Sequence, residues 1–343
     1  MVTRLFVVHG MGAFDQAWVD PIKKQLSEIY GSYETLSSEA QGTRFTIHPI
    51  RYDDILSDLV QRWQTDANVV SKLSNGVSGS TAEALVGWLK TAGQGFQWTH
   101  AADVLLYRCF SDVREAVVVT VANQMLKVIN KDLKANQDAR WGVLAHSLGT
   151  AVAHDSLHAL WTTEFPGGIK VSSGDVKAAF VMMVANVSRV LETDVHVLTS
   201  AVQPGKGSHR ARGCLNFLTV RHALDPFTIP RMFDPEEWPD AATVAQGRYR
   251  SIRVNHFRNR NIHGFGHYLS HPAVHIPLMR LLADEKSVIS ASEEKSALKN
   301  FSDFGEIPVE TATAELKRLE LMQPSRADSW AKLRSIWDAY HGA

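Results

Sequence analysis

The stretch that most constrains the fold runs over residues 140–151 and reads RWGVLAHSLGTA. Its apolar part, 141–145, is typical of a buried β-strand, and small residues that suit a helix follow from Leu148. Ser147 stands between the two, with a small residue two places before it and another two places after it. A serine at such a turn takes a strained backbone conformation that leaves no room for large flanking side chains. The stretch therefore predicts a nucleophilic serine at a tight turn, or otherwise a serine that only caps a helix.

Composition limits the classes of protein to which the chain can belong. The 343 residues are 45% hydrophobic and carry no net charge, which suits one large domain with appendages and argues against a nucleic-acid partner. The two cysteines, Cys109 and Cys214, do not form a C-x-x-C motif, so neither a disulfide framework nor a zinc knuckle is expected. No apolar run approaches the roughly 20 residues of a membrane-spanning helix.

Apolar runs alternate with segments of helical periodicity along most of the chain. This order predicts an α/β fold, with a mostly parallel central sheet of about six strands and helices on both faces. The first strand is expected to begin at about residue 3, which leaves no room for a signal peptide and predicts a cytoplasmic location. The predicted strands are 4–8, 44–50, 141–145, 176–184, 215–220 and 251–257.

Three further fragments follow in an order that points to acyl-transfer chemistry. The first strand runs into His9-Gly10-Met11-Gly12, and Asp225 lies just past the strand at 215–220. A histidine-rich loop, 261–271, precedes a helix expected to start at about residue 271 or 272. Together with Ala145-His146-Ser147-Leu148-Gly149, these fragments resemble the esterase/lipase branch of the α/β-hydrolase superfamily. The alanine form of the serine turn resembles that of some small bacterial lipases. The order Ser, Asp, His is also that of the superfamily.

The resemblance implies a function for particular residues. The catalytic triad would be Ser147, Asp225 and His267, with Asp194 and His263 as the alternatives for the acid and the base. The oxyanion hole would be formed by the N–H of Leu148 with that of Met11 or Gly12. Contacts with the substrate are expected from four ring-bearing side chains, namely His9, His146, Trp88 and Trp98.

The expected organisation is a hydrolase domain over 1–286 with an insertion at 53–102. The insertion carries tryptophans and phenylalanine among glycines, which predicts either a helical cap over an apolar pocket or aromatic side chains packed on the body. A polar linker at 287–296 is expected to lead to a helical extension that ends at residue 343. An apolar stripe at 330–340 predicts burial against the body or against a second copy of the chain in a homodimer.

We therefore expect a serine hydrolase that cleaves small-molecule carboxylic esters through an acyl-enzyme and needs no cofactor. Thioesterase, amidase and lactonase activities lie within the range of the same superfamily. Two hypotheses from other classes are a non-catalytic binding module on this fold and a metal-dependent hydrolase. Histidines recur every four residues from His263 to His275, but glycines and a proline interrupt any helix through them and no H-E-x-x-H is present. We therefore predict no metal site there.

Overall fold

The structure, a computed structural model, describes most of the expected domain. The described residues are 2–11, 17–37, 44–58, 107–108, 111–134, 140–162, 177–192, 196–205, 213–223, 225, 227–228, 233, 247–258, 261–283 and 289–302.

Six parallel strands form one sheet in the order β2-β1-β3-β4-β5-β6. Strands β1, β3, β4 and β5 are almost wholly buried, as apolar strands in parallel sheets are when both faces are covered. The predicted α/β fold with a parallel sheet of about six strands is confirmed. The strands are β1 Thr3–Val8, β2 Phe45–Ile50, β3 Trp141–His146, β4 Phe180–Val184, β5 Phe217–His222 and β6 Tyr249–Val254.

Helices cover both faces of the sheet. Side chains of β1 alternate between two cores: Phe6 and Val8 pack with apolar residues of α3 and α4, and Leu5 and Val7 with those of α1 and α6. This is the layer arrangement of a doubly wound fold. The helices are α1 Asp20–Gly31, α2 Glu34–Ser37, α3 Ser111–Lys134, α4 Leu148–Thr162, α5 Phe265–Ser270, α6 Pro272–Leu282 and α7 Ala291–Asn300.

The topology fixes where a site can form. After β1 the chain builds β2 on one side of it and then β3 on the other, so the strand order reverses between β1 and β3. Ligands of open α/β sheets bind in the crevice outside the carboxyl ends of the strands at such a reversal. The residues that follow β1 and β3, His9 and Ser147, both lie at this point.

A short helix, α5, lies directly before α6, where the sequence predicts a loop. The loop expected up to about residue 271 is a helix, α5, from Phe265 onward, with Gly264 in an extended conformation at its N-cap. His271 is extended again, at φ −81° and ψ 128°, and separates α5 from α6. The predicted start of α6 at about residue 272 is confirmed, whereas the predicted loop before it is wrong in its second half.

The predicted linker at 287–296 is also wrong in its second half, because α7 begins at Ala291. Ser290 and Glu293 form a capping box, in which each side chain bonds the backbone N–H of the other residue. The Glu293 carboxylate also accepts hydrogen bonds from the backbone N–H and the hydroxyl of Thr35, which ties α7 to the start of α2.

Several predictions fall on parts of the chain outside the described residues. These are the insertion beyond residue 58, with Trp88 and Trp98, and also Gly12, Asp194 and the stripe at 330–340. Among the described residues, no helix is long and apolar enough to cross a membrane.

Candidate active site

Ser147 occupies a strained turn between β3 and α4. Its φ is +55°, a region that side-chain-bearing residues rarely adopt, and its side chain is 2% exposed. The backbone N–H of Ser147 donates to Val184 O at 3.0 Å, and Ser147 O accepts from the hydroxyl of Thr150 at 2.7 Å. Such a conformation costs about 1–3 kcal/mol and persists only where the surrounding structure imposes it.

Gly149 and Gly10 allow the end of β1 to lie close to this turn. A β-carbon on Gly149 would lie 2.0 Å from His9 O, because the first turn of α4 packs directly on the end of β1. A β-carbon on Gly10 would lie 3.0 Å from Ser147 Cβ. The loop after β1 is therefore in direct contact with the serine turn.

His263 links Ser147 to Asp225. Its Nε2 lies 2.7 Å from Ser147 Oγ, and its Nδ1 lies 2.7 Å from Asp225 Oδ2. An ionised carboxylate can only accept, so Nδ1 carries the hydrogen and Nε2 is left to accept the hydrogen of the serine hydroxyl. This is the geometry of a nucleophile, a general base and an orienting acid.

The structure thus places His263, and not His267, beside Ser147, which corrects the choice made from the sequence. His267 is the third residue of α5, is 6% exposed, and stacks on His256 with ring centroids 3.9 Å apart. Its Nε2 donates to His256 O at 3.1 Å. Burial, with the neighbouring His222 ring, lowers the pKa of His267 to about 4. Because α5 begins at Phe265, His267 turns into the core and His263 remains in the loop at the sheet edge.

Asp225 is fully buried and receives three hydrogen bonds. Besides His263, the Tyr268 hydroxyl donates to Oδ2 at 2.6 Å and the Phe227 N–H donates to Oδ1 at 3.0 Å. Burial opposes ionisation, but the hydrogen bond and charge of His263 and the bonds from Tyr268 and Phe227 outweigh it. The pKa of Asp225 is therefore below its ordinary value. No motif in the sequence indicates the role of Tyr268.

His146, expected to contact substrate, instead supports the loop that carries His263. Its Nε2 donates to His263 O at 2.7 Å, and its ring stacks on Phe265 with centroids 4.8 Å apart. Burial and the nearby His263 ring lower the pKa of His146 to about 3, so this ring is neutral near pH 7. A neutral ring that donates through Nε2 holds the main chain of His263 in place.

His9, also expected to contact substrate, is only 1% exposed. Its ring stacks on Tyr52 with centroids 4.3 Å apart, and its Nε2 lies 3.2 Å from Asp53 Oδ1. The Tyr52 hydroxyl contacts both His9 O and Gly10 O at 2.9 Å. His9 therefore supports the loop after β1 from within the protein.

The expected oxyanion-hole residues lie on the two segments that meet at Ser147. Leu148 is the first residue of α4, and N–H groups in the first turn of a helix have no intrahelical acceptor. Met11 is 8% exposed and directly follows Gly10, which contacts the serine turn. The Phe227 ring is 50% exposed, with its centroid 4.7 Å from that of His263.

One group of described side chains has the composition and spacing of metal ligands, namely His222, His256 and His267. It is separate from the hydrogen-bonded series of Ser147, and only His267 belongs to the four-residue repeat in the sequence. In that repeat, His275 bonds Tyr33 through Nε2 and donates through Nδ1 to Leu269 O.

Comparison of the sequence with models of known protein families and with curated proteins finds no match. The function of the chain is therefore inferred from its fold and from the hydrogen bonds among Ser147, His263 and Asp225.

Proposed function

We propose that the chain is a serine hydrolase of the α/β-hydrolase superfamily and that it cleaves carboxylic esters. The observation that carries this proposal is the unbroken hydrogen-bonded series from Ser147 Oγ through His263 to Asp225. The series lies at the carboxyl edge of a parallel sheet, and Ser147 follows β3, next to the point where the strand order reverses. Its members follow one another along the chain as Ser, Asp and His, the order of that superfamily.

In the first step, Ser147 Oγ attacks the carbonyl carbon of the ester while His263 Nε2 takes the hydroxyl proton. The carbonyl oxygen becomes an oxyanion, to which the Leu148 N–H and an N–H of the loop after Gly10 donate. As the tetrahedral intermediate collapses, His263 returns the proton to the departing alkoxide and the alcohol leaves. Asp225 holds the ring in the required tautomer and stabilises the imidazolium that forms.

In the second step, water attacks the acyl-enzyme and His263 Nε2 takes a proton from it. A second tetrahedral intermediate collapses, the proton passes to Ser147 Oγ, and the carboxylic acid is released. This scheme requires no cofactor.

Phe227 indicates the kind of substrate. A half-exposed phenyl ring next to the His263 ring offers an apolar surface at the point where the ester must lie. Such a surface favours an apolar acyl or alkyl group over a charged one. We therefore propose esters with apolar groups as the substrate class.

The proposal is tested with 4-nitrophenyl esters of increasing acyl length and with a serine-directed fluorophosphonate. Ser147→Ala should lower kcat at least about 10³-fold and abolish phosphonate labelling, with the melting temperature nearly unchanged. Ser156→Ala is the matched control, because it removes a buried hydroxyl from α4, the helix that follows Ser147. Hydrolysis that survives Ser147→Ala, in protein free of contaminating esterase, would refute the catalytic proposal.

The role of His263 is tested by comparison with His267. His263→Ala should reduce kcat as much as Ser147→Ala does, because members of a triad act as a unit. His267→Asn should leave kcat of the folded protein within about tenfold of the starting value. The reverse ranking would return the base to His267.

The main alternative from another class is a binding module on the same fold. It would be favoured if esters, thioesters, amides and lactones all remain intact and the fluorophosphonate fails to label Ser147.

A further inference from the structure

Thr150 joins two strained turns at the carboxyl edge of the sheet. Ser147, after β3, has a φ of +55°, and Ala185, after β4, has a φ of +50°. Both values lie in the left-handed region that residues with side chains rarely adopt. The Ser147 N–H donates to Val184 O at 3.0 Å, so the two turns are in direct contact. Thr150, the third residue of α4, is fully buried next to them.

The hydroxyl of Thr150 bonds the main chain of both turns. It donates to Ser147 O at 2.7 Å and accepts from the Val187 N–H at 3.0 Å. A hydroxyl has one hydrogen and also accepts through its lone pairs, so both bonds form at once. The backbone N–H of Thr150 also donates to Ser147 O, at 2.8 Å. Ser147 O is therefore held by two donors of the same residue.

The segment that carries the Val187 N–H is itself fixed by buried hydrogen bonds. Asn186 Nδ2 donates to Thr219 Oγ1 at 3.1 Å. Asn186 Oδ1 accepts from the N–H of Ser188 at 3.0 Å and from its hydroxyl at 2.7 Å. A fixed donor at Val187, together with the stiffness of a β-branched side chain, restricts the rotation of the Thr150 hydroxyl.

The bonds to Ser147 O set the direction of the Leu148 N–H. The two groups belong to one peptide unit, and no cis peptide bond occurs among the described residues. In a planar trans peptide the C=O and the N–H point in opposite directions. Holding Ser147 O toward Thr150 therefore turns the Leu148 N–H away from it. The proposed mechanism assigns this N–H to the oxyanion, and such donors act by being aimed in advance.

We propose that Thr150 is a positioning residue of the oxyanion hole, whose hydroxyl holds the peptide unit between Ser147 and Leu148 against the turn after β4. This inference rests on the proposed function and adds a residue that no motif in the sequence marks. Thr150 acts through the peptide unit and not by contact with the reacting atoms. Because the oxyanion forms only as the ester reacts, Thr150 affects the chemical step more than the binding of substrate.

The test compares Thr150→Val with Thr150→Ser in the full chain, with 4-nitrophenyl esters as substrates. Valine retains the branched shape but has no hydroxyl, so kcat should fall about 10- to 100-fold while KM changes less than about threefold. Loss of a whole oxyanion donor costs about 10²–10³-fold. The expected loss is smaller because the Thr150 N–H still bonds Ser147 O. Serine retains the hydroxyl and should keep kcat within about threefold.

A trifluoromethyl ketone gives a second readout that depends on the oxyanion. Ser147 Oγ bonds the ketone carbon, the hydroxyl proton passes to His263, and the carbonyl oxygen becomes an oxyanion. The inhibition constant for Thr150→Val should rise by about the same factor as kcat falls. An unchanged inhibition constant overturns the proposal.

Thr3→Val is the matched control. Its buried hydroxyl also donates to a carbonyl, Leu282 O, and accepts from an N–H, that of Arg140 Nε, but it lies at the amino end of β1. Thr3→Val should lower the melting temperature and leave kcat within about twofold. The proposal is overturned if Thr150→Val keeps its kcat, or if Thr3→Val loses as much.

A second pair of variants applies if Thr150→Val does not fold. Thr150→Ser and Thr150→Cys differ only in oxygen against sulfur, and a thiol is a weak donor and acceptor. The cysteine variant should be the slower, and equal kcat values refute the proposal. Ser147→Ala separates the two proposals. If it is inactive while Thr150→Val is fully active, only this inference fails, whereas hydrolysis that survives Ser147→Ala removes both.

Discussion

Tyr268→Phe removes the hydroxyl that bonds the Asp225 carboxylate and the His222 N–H. The hydroxyl donates to Asp225 Oδ2 at 2.6 Å and accepts from the His222 N–H at 3.1 Å. The ring itself is completely buried, and phenylalanine retains its packing. The substitution therefore reports on the two hydrogen bonds.

The expected loss of stability follows from these two contacts. A hydrogen bond to a charged group contributes about 1.5–3 kcal/mol, and a buried N–H left without a partner costs about 1–3 kcal/mol. Partial relaxation of the main chain reduces that sum, so we expect the free energy of unfolding at pH 7 to fall by about 2–4 kcal/mol. The kcat for a model ester should also fall, with KM little changed, because a less firmly held Asp225 stabilises the imidazolium of His263 less well.

The pH dependence of this loss of stability shows how much of it comes from the hydrogen bond to the ionised Asp225 carboxylate. The pKa of Asp225 is lowered in the folded protein, so its contribution to stability is present above the unfolded value of about 3.9. That contribution disappears as the pH falls through the folded pKa. Urea unfolding should therefore show the full difference between Tyr268→Phe and the unmodified chain from pH 7 to 5, and a smaller difference below about pH 4.

Tyr52→Phe is the matched control, since its buried hydroxyl bonds two neutral carbonyl oxygens, those of His9 and Gly10. Its loss of stability should not change over the same pH range. If the difference caused by Tyr268→Phe is under about 0.5 kcal/mol at pH 7, or is constant down to pH 3, the hydroxyl does not stabilise an ionised Asp225.

Three further substitutions test other parts of the site. Gly149→Ala should destabilise the protein by about 3 kcal/mol or more in urea unfolding, because its β-carbon would lie 2.0 Å from His9 O. This cost exceeds the higher helix propensity of alanine, which is worth about 1 kcal/mol. Gly31→Ala, at the open end of α1, should instead be neutral or stabilising by up to about 1 kcal/mol, and equal effects would contradict the close approach. Phe227→Ala should lower kcat/KM for medium-chain esters about tenfold relative to the acetate, and a uniform loss would argue against an apolar contact with substrate. His146→Ala should lower kcat about tenfold at constant KM, with partial rescue by His146→Gln, whose amide can still donate.

The elements of the fold follow from local patterns. Runs such as Phe180–Val184 are apolar on both faces, which is how strands of a covered parallel sheet read. The position of Ser147 follows from the small residues around it, and that of Asp225 from the strand end before it. These features depend on neighbours in sequence, and the sequence therefore predicts them.

The histidine of the site depends on where a short helix starts, which local patterns predict poorly. Gly264 and Gly266 argue for a loop through residue 271, and such a loop would bring His267 to the sheet edge. Burial of Tyr268 and Leu269 against the sheet outweighs the low helix propensity of Gly266, so the helix starts at Phe265. His263 then becomes the last loop histidine before the helix.

Other features follow from contacts between distant parts of the chain. His146 reaches His263 O, and Tyr268 reaches the His222 N–H, without any motif that marks either pair. The start of α7 is different, because Ser290 and Glu293 have the S-x-x-E spacing of a capping box and could have been recognised.

The place of β1 inside the sheet has a consequence for the folding rate. Thr3 pairs with Phe45 on one side, but the other neighbour of Arg4 is Trp141, far along the chain. The polypeptide must close that long loop before the centre of the sheet exists, and pairings between such distant residues slow folding. Until residues 141–146 are available, the inner edge of β1 has no partner, and an unpaired strand edge promotes aggregation. Refolding from denaturant should therefore be slow and sensitive to protein concentration, whereas unfolding should be cooperative, since β1 joins the two sides of the sheet.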